Sequence, residues 1–220
     1  SSDLSSSPIA VIDFETTGMT PAQGARATEI AIVLLQDGRV VDRFQSLMRT
    51  GVYIPSFITQ LTGITNAMVA DAPDAEDVMR DAARFVNNAP MVAHNASFDS
   101  KFWCAEMQHA GVAAPHPFAC TVLLSRRLYP EARSHSLGNI VDHLGLPRAG
   151  RAHRALADAE MAASLLARIQ QDLQSRWGID QPGHELLSGL QKCAKPGVAK
   201  WLAQRAQQDA LVNTPHASAN

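Results

Sequence analysis

The sequence has few cysteines, no long apolar run and no excess of positive charge. Its three cysteines, Cys104, Cys120 and Cys193, are widely spaced and form no CxxC pair, which argues against a disulfide framework and against a zinc site. No apolar stretch approaches the roughly 20 residues that span a bilayer. The first residues, SSDLSSSP, contain neither a basic patch nor an apolar segment. We therefore expect a cytoplasmic protein that does not enter a membrane.

The formal net charge of the chain is -2, so it has no global basic field to attract nucleic acid. Any contact with nucleic acid must therefore be local. One candidate is the segment 126–154, which holds six arginines and two acids. Clustering in sequence does not establish clustering in space, so a solvated face explains this segment as well as a track for phosphates does. The arginines are Arg126, Arg127, Arg133, Arg148, Arg151 and Arg154.

The 220 residues are 46% hydrophobic and 18% charged, which is typical of a globular chain with one α/β core. We expect residues 1–7 to be disordered because they are rich in serine. Residues 8–176 are predicted to form one domain. Residues 177–220 are rich in glutamine and alanine and are interrupted by Pro182 and Pro196, so we expect a helical or partly disordered extension.

The pattern of apolar runs and turns predicts an α/β fold. The Asp37-Gly38 pair between two apolar runs is a strong hairpin signal, so the first three strands should be antiparallel. Alternating helices and strands follow, which predicts a mixed five-stranded sheet flanked by helices, with parallel strands after the antiparallel ones. The predicted strands are 8–14, 29–35, 40–48, 91–93 and 118–121. The predicted helices are 73–88, 97–110, 122–129, 136–144, 154–176 and 197–209.

The stretch DFETTGM, residues 13–19, ends the first predicted strand with two acids. Successive strand side chains point to opposite faces, so Asp13 and Glu15 share one face and Phe14 takes the other. The preceding run, Ile9–Ile12, does not alternate, which indicates a central strand covered on both faces. Charge is costly there unless something compensates it.

Two further acidic stretches are HNASFD, 94–99, and AHRALADAE, 152–160. Asp99 lies in the first turn of a predicted helix, where an acid ordinarily stabilises the helix dipole. His153 and Asp158 are five residues apart, so in one continuous helix they would point about 140° away from each other. They converge only if His153 lies on the loop before the helix. Taken alone, a solvent-exposed histidine and a surface acid explain this stretch equally well.

Together and in this order, the three stretches resemble the motifs of the DEDDh 3'-5' exonucleases of the DnaQ-like type, the group that includes the proofreading epsilon subunit of bacterial DNA polymerase III. LTGIT, 61–65, is similar to the family's substrate-side loop, and SHSLGNIVDHLGL, 134–146, to the segment before the third motif. The resemblance covers residues 8–172. One departure is Cys120-Thr121, where many members have Asp-Thr.

The resemblance implies an RNase H-like fold with four catalytic acids, Asp13, Glu15, Asp99 and Asp158, and His153 as the fifth catalytic residue. Four adjacent carboxylates raise one another's pKa, and divalent cations remove this conflict. An all-oxygen set favours two ions of Mg²⁺ or Mn²⁺. Our hypothesis is that Asp13 bridges both ions, that Glu15 and Asp158 complete one site, and that Asp99 holds the other. An imidazole can act as a general base at neutral pH, so we assign His153 the role of general base for the attacking water.

Nine further residues are candidates for contact with the substrate. The resemblance places the turn after the first motif at the terminal nucleotide, where its backbone would bond the 3'-hydroxyl. Apolar candidates would stack on or wedge the last bases, although core packing explains the two phenylalanines equally well. Two polar candidates line the pocket or brace its loop. The nine are Thr16, Thr17 and Gly18, then Phe14, Leu61, Ile64 and Phe98, and finally His94 and Asn95.

These observations predict a two-metal-ion 3'-5' exonuclease that hydrolyses phosphodiesters from the 3' end of single-stranded DNA, in proofreading or repair, and releases nucleoside 5'-monophosphates. A DNA polymerase subunit in trans is the candidate protein partner. An exoribonuclease that trims RNA ends has the same motifs, because discrimination of the 2'-hydroxyl depends on pocket shape. A non-catalytic polymerase-interacting module is the alternative of another class. The complete set of five catalytic residues argues against it.

Overall fold

The computed structural model describes residues 6–214, which form a five-stranded mixed sheet with helices on both faces. Spatial order in the sheet is β3-β2-β1-β4-β5. β1 pairs with β2 and β2 with β3 in antiparallel register, whereas β1 with β4 and β4 with β5 are parallel. The predicted sheet is confirmed. The strands are β1 (Ile9–Thr16), β2 (Ala27–Gln36), β3 (Arg39–Leu47), β4 (Met91–Ala93) and β5 (Phe118–Cys120).

Nine α-helices occur in the described part of the chain, three of which the sequence pattern did not predict: α1, α2 and α8. Each of these three has five to seven residues. Helices this short show less than two turns of periodicity and depend on packing for their stability. The helices are α1 (Ser56–Thr62), α2 (Asn66–Ala70), α3 (Ala75–Val86), α4 (Ala96–Ala110), α5 (Thr121–Leu128), α6 (Leu137–His143), α7 (Ala155–Trp177), α8 (His184–Leu190) and α9 (Val198–Val212). None of them is long and apolar enough to cross a bilayer.

The predicted hairpin between β2 and β3 is present and turns at Asp37 and Gly38. Their φ angles are 51° and 75°, so both residues have left-handed backbone geometry. Two consecutive left-handed residues give the turn whose twist matches that of the flanking strands. The hairpin therefore sets the register between β2 and β3, in which Glu29 lies opposite Leu47.

Apolar side chains cover β1 on both faces, as its uninterrupted apolar sequence predicts. Val11 belongs to the core cluster that includes Leu166 of α7. Ile12 points the other way, into a cluster with Met79 of α3 and Phe102 of α4. β1 is therefore the central strand of the domain, and its carboxyl end is the point at which α4 and α7 approach each other.

Residues after α7 pack on the same core as α7. Leu187 and Leu190 of α8 and Leu202 of α9 are fully buried and belong to the cluster that contains Leu166. The described part of the predicted extension thus contains two helices rather than the single helix expected at 197–209. Residues 1–5 and 215–220, on which part of the predicted disorder falls, lie outside the described residues.

Candidate active site

Three elements bring the four predicted acids to one end of the sheet. Asp13 and Glu15 lie near the carboxyl end of β1. Asp99 lies in the first turn of α4, the helix that follows the neighbouring parallel strand β4, and Asp158 lies in the first turn of α7. Acids that are far apart in sequence therefore lie close together, because α4 and α7 both begin at the edge of the sheet where β1 ends.

The carboxylates of Asp13, Glu15 and Asp158 form a cluster that is able to hold a cation. One oxygen of each lies within 4.8 Å of the others. Oδ2 of Asp13 is buried and has no hydrogen-bond partner among the described residues. Asp99 is outside this set of three, is 2% exposed, and accepts a hydrogen bond of 3.0 Å at Oδ1 from the Phe14 backbone N–H. That bond ties the first turn of α4 to β1.

Burial and mutual repulsion disfavour the charged forms of these four carboxyl groups when no cation is bound. Burial is the largest cause in each case, and it raises the pKa of Glu15 to about 8 and that of Asp99 to about 8. It also raises the pKa of Asp13 and of Asp158, and neighbouring carboxylates add to the effect on Asp13. A divalent cation favours the charged forms, and an all-oxygen donor set with an unpartnered buried oxygen fits Mg²⁺ or Mn²⁺.

His153 lies on the loop before α7, which meets the geometric condition for its approach to Asp158. Its φ is 61°, a left-handed conformation that is uncommon for residues other than glycine. The His153 backbone N–H donates to Oδ2 of Asp158 over 3.2 Å. The residue is exposed. The loop and the first turn of α7 are therefore joined directly at the acid cluster.

Sequence reasoning missed Glu29, a buried acid on β2 that is directly opposite Glu15. Glu29 is 1% exposed and accepts hydrogen bonds from Arg154 Nε at 3.2 Å, from the second Arg154 nitrogen at 2.8 Å and from the Ala155 N–H at 2.9 Å. The pair attaches the start of α7 to β2 next to His153. The only sequence signal for Glu29 is that it is an acid at the start of an apolar strand.

A second missed acid, Glu106 of α4, holds the segment after the first motif. Glu106 is 1% exposed and accepts from Arg26 Nε at 2.9 Å, from a second Arg26 nitrogen at 3.0 Å and from the Ala27 N–H at 3.0 Å. Arg26 in turn exchanges two hydrogen bonds with Thr17, one to the threonine hydroxyl and one from its backbone N–H. No local sequence signal identifies Glu106, because its partners lie about 80 residues away.

The turn predicted to meet the terminal nucleotide is stabilised by its own side chains. Thr16 Oγ1 donates to the Gly18 carbonyl at 2.7 Å, and Thr17 Oγ1 accepts from the Arg26 N–H at 3.0 Å. Both threonines are buried. A Cβ at Gly18 would approach Ala25 Cβ to 3.3 Å, so the turn packs closely at this position. The hydroxyls shape the turn, which leaves its backbone as the group available to a ligand.

The four apolar candidates differ in exposure. Leu61 of α1 is 49% exposed. Phe98 is partly buried and packs on Phe102, with ring centroids 4.9 Å apart. Phe14 is almost fully buried against the same ring, and Ile64 is fully buried in a small core with Ile54 and Val69. In this structure the side chains of Phe14 and Ile64 have no surface with which to stack on a base, because both are core residues.

His94 and Asn95 lie where β4 passes into α4. The two ring nitrogens of His94 lie 2.8 Å from Thr121 Oγ1 and 2.8 Å from the His135 carbonyl oxygen. Burial lowers the pKa of His94 to about 4, so the ring is neutral and braces this loop. Asn95 is exposed and adopts φ 72° immediately before α4.

The order and strand directions of this mixed sheet match the RNase H-like fold of solved exonucleases. The family model described as exonuclease matches residues 10–166. The chain therefore belongs to the exonuclease family. The relatives below show that it is a 3'-5' exonuclease of the DEDDh, DnaQ-like type, and the resemblance inferred from sequence is confirmed.

The relatives include DNA polymerase III proteins and an exonuclease of known structure. DNA polymerase III subunit epsilon of Aquifex aeolicus is 34% identical over 170 residues, covering 77% of this chain and 83% of that protein. A PolC-type DNA polymerase III of Clostridium perfringens is 38% identical over 156 residues, which are 71% of this chain but 11% of that polymerase. Exonuclease X, solved in complex with 5' overhanging duplex DNA, superimposes with a TM-score of 0.64 at 30% identity over 83% of this chain and 99% of its own.

Proposed function

We propose that this chain removes nucleotides from the 3' end of single-stranded DNA by two-metal-ion hydrolysis and releases nucleoside 5'-monophosphates. The observation that carries the proposal is the cluster of Asp13, Glu15 and Asp158 oxygens within 4.8 Å of one another, with Oδ2 of Asp13 buried and unpartnered among the described residues. Such an arrangement is costly to keep without a cation. Its cost is explained if the cluster holds the reaction's metal ions.

The acids of this chain have distinct roles in the proposal. Asp13, Glu15 and Asp158 would hold divalent ions at the cluster, and Asp99 would contribute the fourth carboxylate. Mg²⁺ or Mn²⁺, when bound, supplies positive charge at the phosphodiester and increases the acidity of a coordinated water. His153 accepts the proton of the attacking water, and its place on an exposed loop bonded to Asp158 supports this role.

The terminal nucleotide binds between the backbone of the turn Thr16–Gly18 and exposed apolar side chains. Leu61 and the exposed part of Phe98 are the groups that support a wedge or stacking contact with the last bases. His94 acts as a structural brace in this proposal, because both ring nitrogens already have protein partners. Asn95 remains a candidate contact because it is exposed beside the first turn of α4.

DNA as the substrate is supported by the relatives, which include DNA polymerase subunits and an exonuclease solved on duplex DNA. The epsilon relative also supports a partnership with a polymerase subunit in trans. We propose proofreading or repair as the biological setting on this basis.

The test is hydrolysis of end-labelled single strands of DNA and of RNA with Mg²⁺, Mn²⁺ or EDTA. The proposal predicts stepwise shortening of DNA from its 3' end in either metal, 5'-monophosphate products and no reaction in EDTA. Asp42→Asn, an exposed acid on β3, is the charge-matched control for Asp13→Asn and should retain activity. If only RNA were cleaved, the assignment of DNA as the substrate would be rejected in favour of RNA. Cleavage in EDTA would overturn the metal mechanism.

A further inference from the structure

A cavity lies beside the acid cluster, at the carboxyl ends of β4 and β5. Its volume is about 1050 Å³. The loop before α4, the helix α5, the loop before α6 and Gln191 after α8 form its walls. Gln191 is fixed there because its Oε1 accepts a hydrogen bond of 2.7 Å from the Cys120 N–H. The residues after α7 thus complete a cavity next to the catalytic end of the sheet.

The charge of this cavity is positive. Its lining includes Arg126, Arg133 and His135 but no Asp or Glu. Both arginines are exposed, and neither forms an ion pair within residues 6–214. Burial is the main cause that lowers the pKa of His135, and the charges of Arg126 and Lys195 lower it further. In a chain of net charge -2, this is a local site for an anion.

The cavity also adjoins the first turn of α4, which carries Asp99. Ser97 and Ser100 line it from the first turn of α4, and Asp99 lies between them on the side that faces β1. β1 and β5 are two strands apart in the sheet, roughly 10 Å at ordinary strand spacing. A strand whose 3' end lies at the acids therefore reaches the cavity within a few nucleotides.

We propose that this cavity, through Arg126 and Arg133, binds backbone phosphates of the substrate strand on the 5' side of the cleaved bond. The inference rests on the proposed function and names where the rest of the strand is held. A site built from four acids attracts a polyanion poorly, so unpaired guanidinium groups nearby supply the affinity that the acids cannot. The neutral polar lining, including Asn95 and Gln191, offers hydrogen bonds without selecting a base sequence.

The experiment compares two substrates of the full chain that share the scissile phosphate. One is a 12-nucleotide DNA strand, and the other is the p-nitrophenyl ester of thymidine 5'-monophosphate, which has no phosphate to occupy the cavity. Arg126→Ala/Arg133→Ala should lower kcat/KM for the strand by on the order of tenfold at low salt, mainly through KM. The slope of log(kcat/KM) for the strand against the logarithm of salt concentration should become shallower by about 1.4, because each lost phosphate contact removes about 0.7 from the slope. Hydrolysis of the ester should be unchanged.

Matched variants separate the specific contact from net charge and from folding. Arg39→Ala/Arg84→Ala removes two exposed arginines that are outside the cavity and should leave both substrates unaffected. Arg126→Lys/Arg133→Lys keeps the charge and should retain the salt dependence. An unchanged strand reaction in the alanine variant, or an equal loss on both substrates, would overturn the phosphate site. If the wild-type chain hydrolysed neither substrate, the proposed function itself would fail.

Discussion

At the scale of single residues, Asp13 is the residue whose carboxyl group is least favourably placed when no cation is bound. Its Oδ2 is buried and lacks a partner among the described residues, and burial together with Asp99, Glu15 and Asp158 raises its pKa. A buried carboxyl group in this state contributes nothing favourable to folding. Its presence is explained by a function that needs it.

Asp13→Ala is therefore expected to abolish nuclease activity and to leave the stability of the metal-free protein equal or higher, because an unsatisfied buried group is removed. Assays of strand shortening in Mg²⁺ and thermal unfolding in EDTA measure the two effects. Asp158→Ala should likewise abolish activity with the fold retained. Cleavage by a purified, folded Asp13→Ala variant would reject the assignment.

His153→Ala should lower kcat by a factor on the order of 10² to 10⁴ and leave KM nearly unchanged, because the residue is proposed to take a proton in the transition state. The pH dependence of kcat should also change, because the proposed proton acceptor is removed. Steady-state kinetics between pH 5.5 and 9 measure both effects, with His109→Ala, a residue at the end of α4, as the control. An unchanged kcat and pH profile would show that another group is the base.

At the scale of elements, the start of α7 is positioned by the Glu29–Arg154 pair, which joins it to β2. The same turn carries His153 and Asp158. Glu29→Gln should therefore lower kcat more than it raises KM, and should reduce the free energy of unfolding by about 1 to 3 kcal/mol, since three hydrogen bonds to a charged group are weakened. Kinetics and urea denaturation measure the two losses.

Asp142→Asn provides the matched control, because it disrupts the exposed pair between Asp142 of α6 and Arg148 in the loop that follows. Exposed pairs contribute little to stability, so neither kcat nor unfolding should change. If Glu29→Gln behaved like this control, Glu29 would have no positioning role.

The elements also show how far sequence reasoning extends. The strands were predictable because an apolar run or a turn pair such as Asp37-Gly38 leaves a local pattern, whereas the acidic motifs were identified through their resemblance to a known family. Glu29 and Glu106 were not identified, because their arginine partners lie about 125 and 80 residues away in sequence. The burial of Ile64 and Phe14 depends on tertiary packing, which local sequence does not encode.

At the scale of the whole molecule, the acid cluster couples stability to pH and to divalent cations. The pKa of Glu15 is raised by burial from 4.5 to about 8, so the folded state keeps a proton that the unfolded chain has released across that interval. The free energy of unfolding of the metal-free protein should therefore be highest at the acid end of this window and fall as pH rises through it. The slope is about 1.4 kcal/mol per pH unit for each carboxyl that keeps its proton.

Thermal unfolding in EDTA at several pH values between 5 and 9 tests this linkage. The melting temperature should fall with rising pH, and Glu15→Gln should make the dependence shallower. Mg²⁺ should raise the melting temperature more at pH 8 than at pH 5.5, because cation binding requires the charged forms. A metal-free melting temperature that rises steadily with pH would contradict the raised pKa values.

The central claim is that the carboxylates of three distant segments share bound divalent ions, and calorimetric titration of the metal-free chain with Mn²⁺ at pH 7.5 in buffers of different ionisation enthalpy tests it most directly. We predict uptake of two ions per chain with release of protons, and strongly reduced uptake in Asp13→Asn. Absence of divalent uptake by the folded wild-type chain, or equal uptake by Asp13→Asn, would contradict the account.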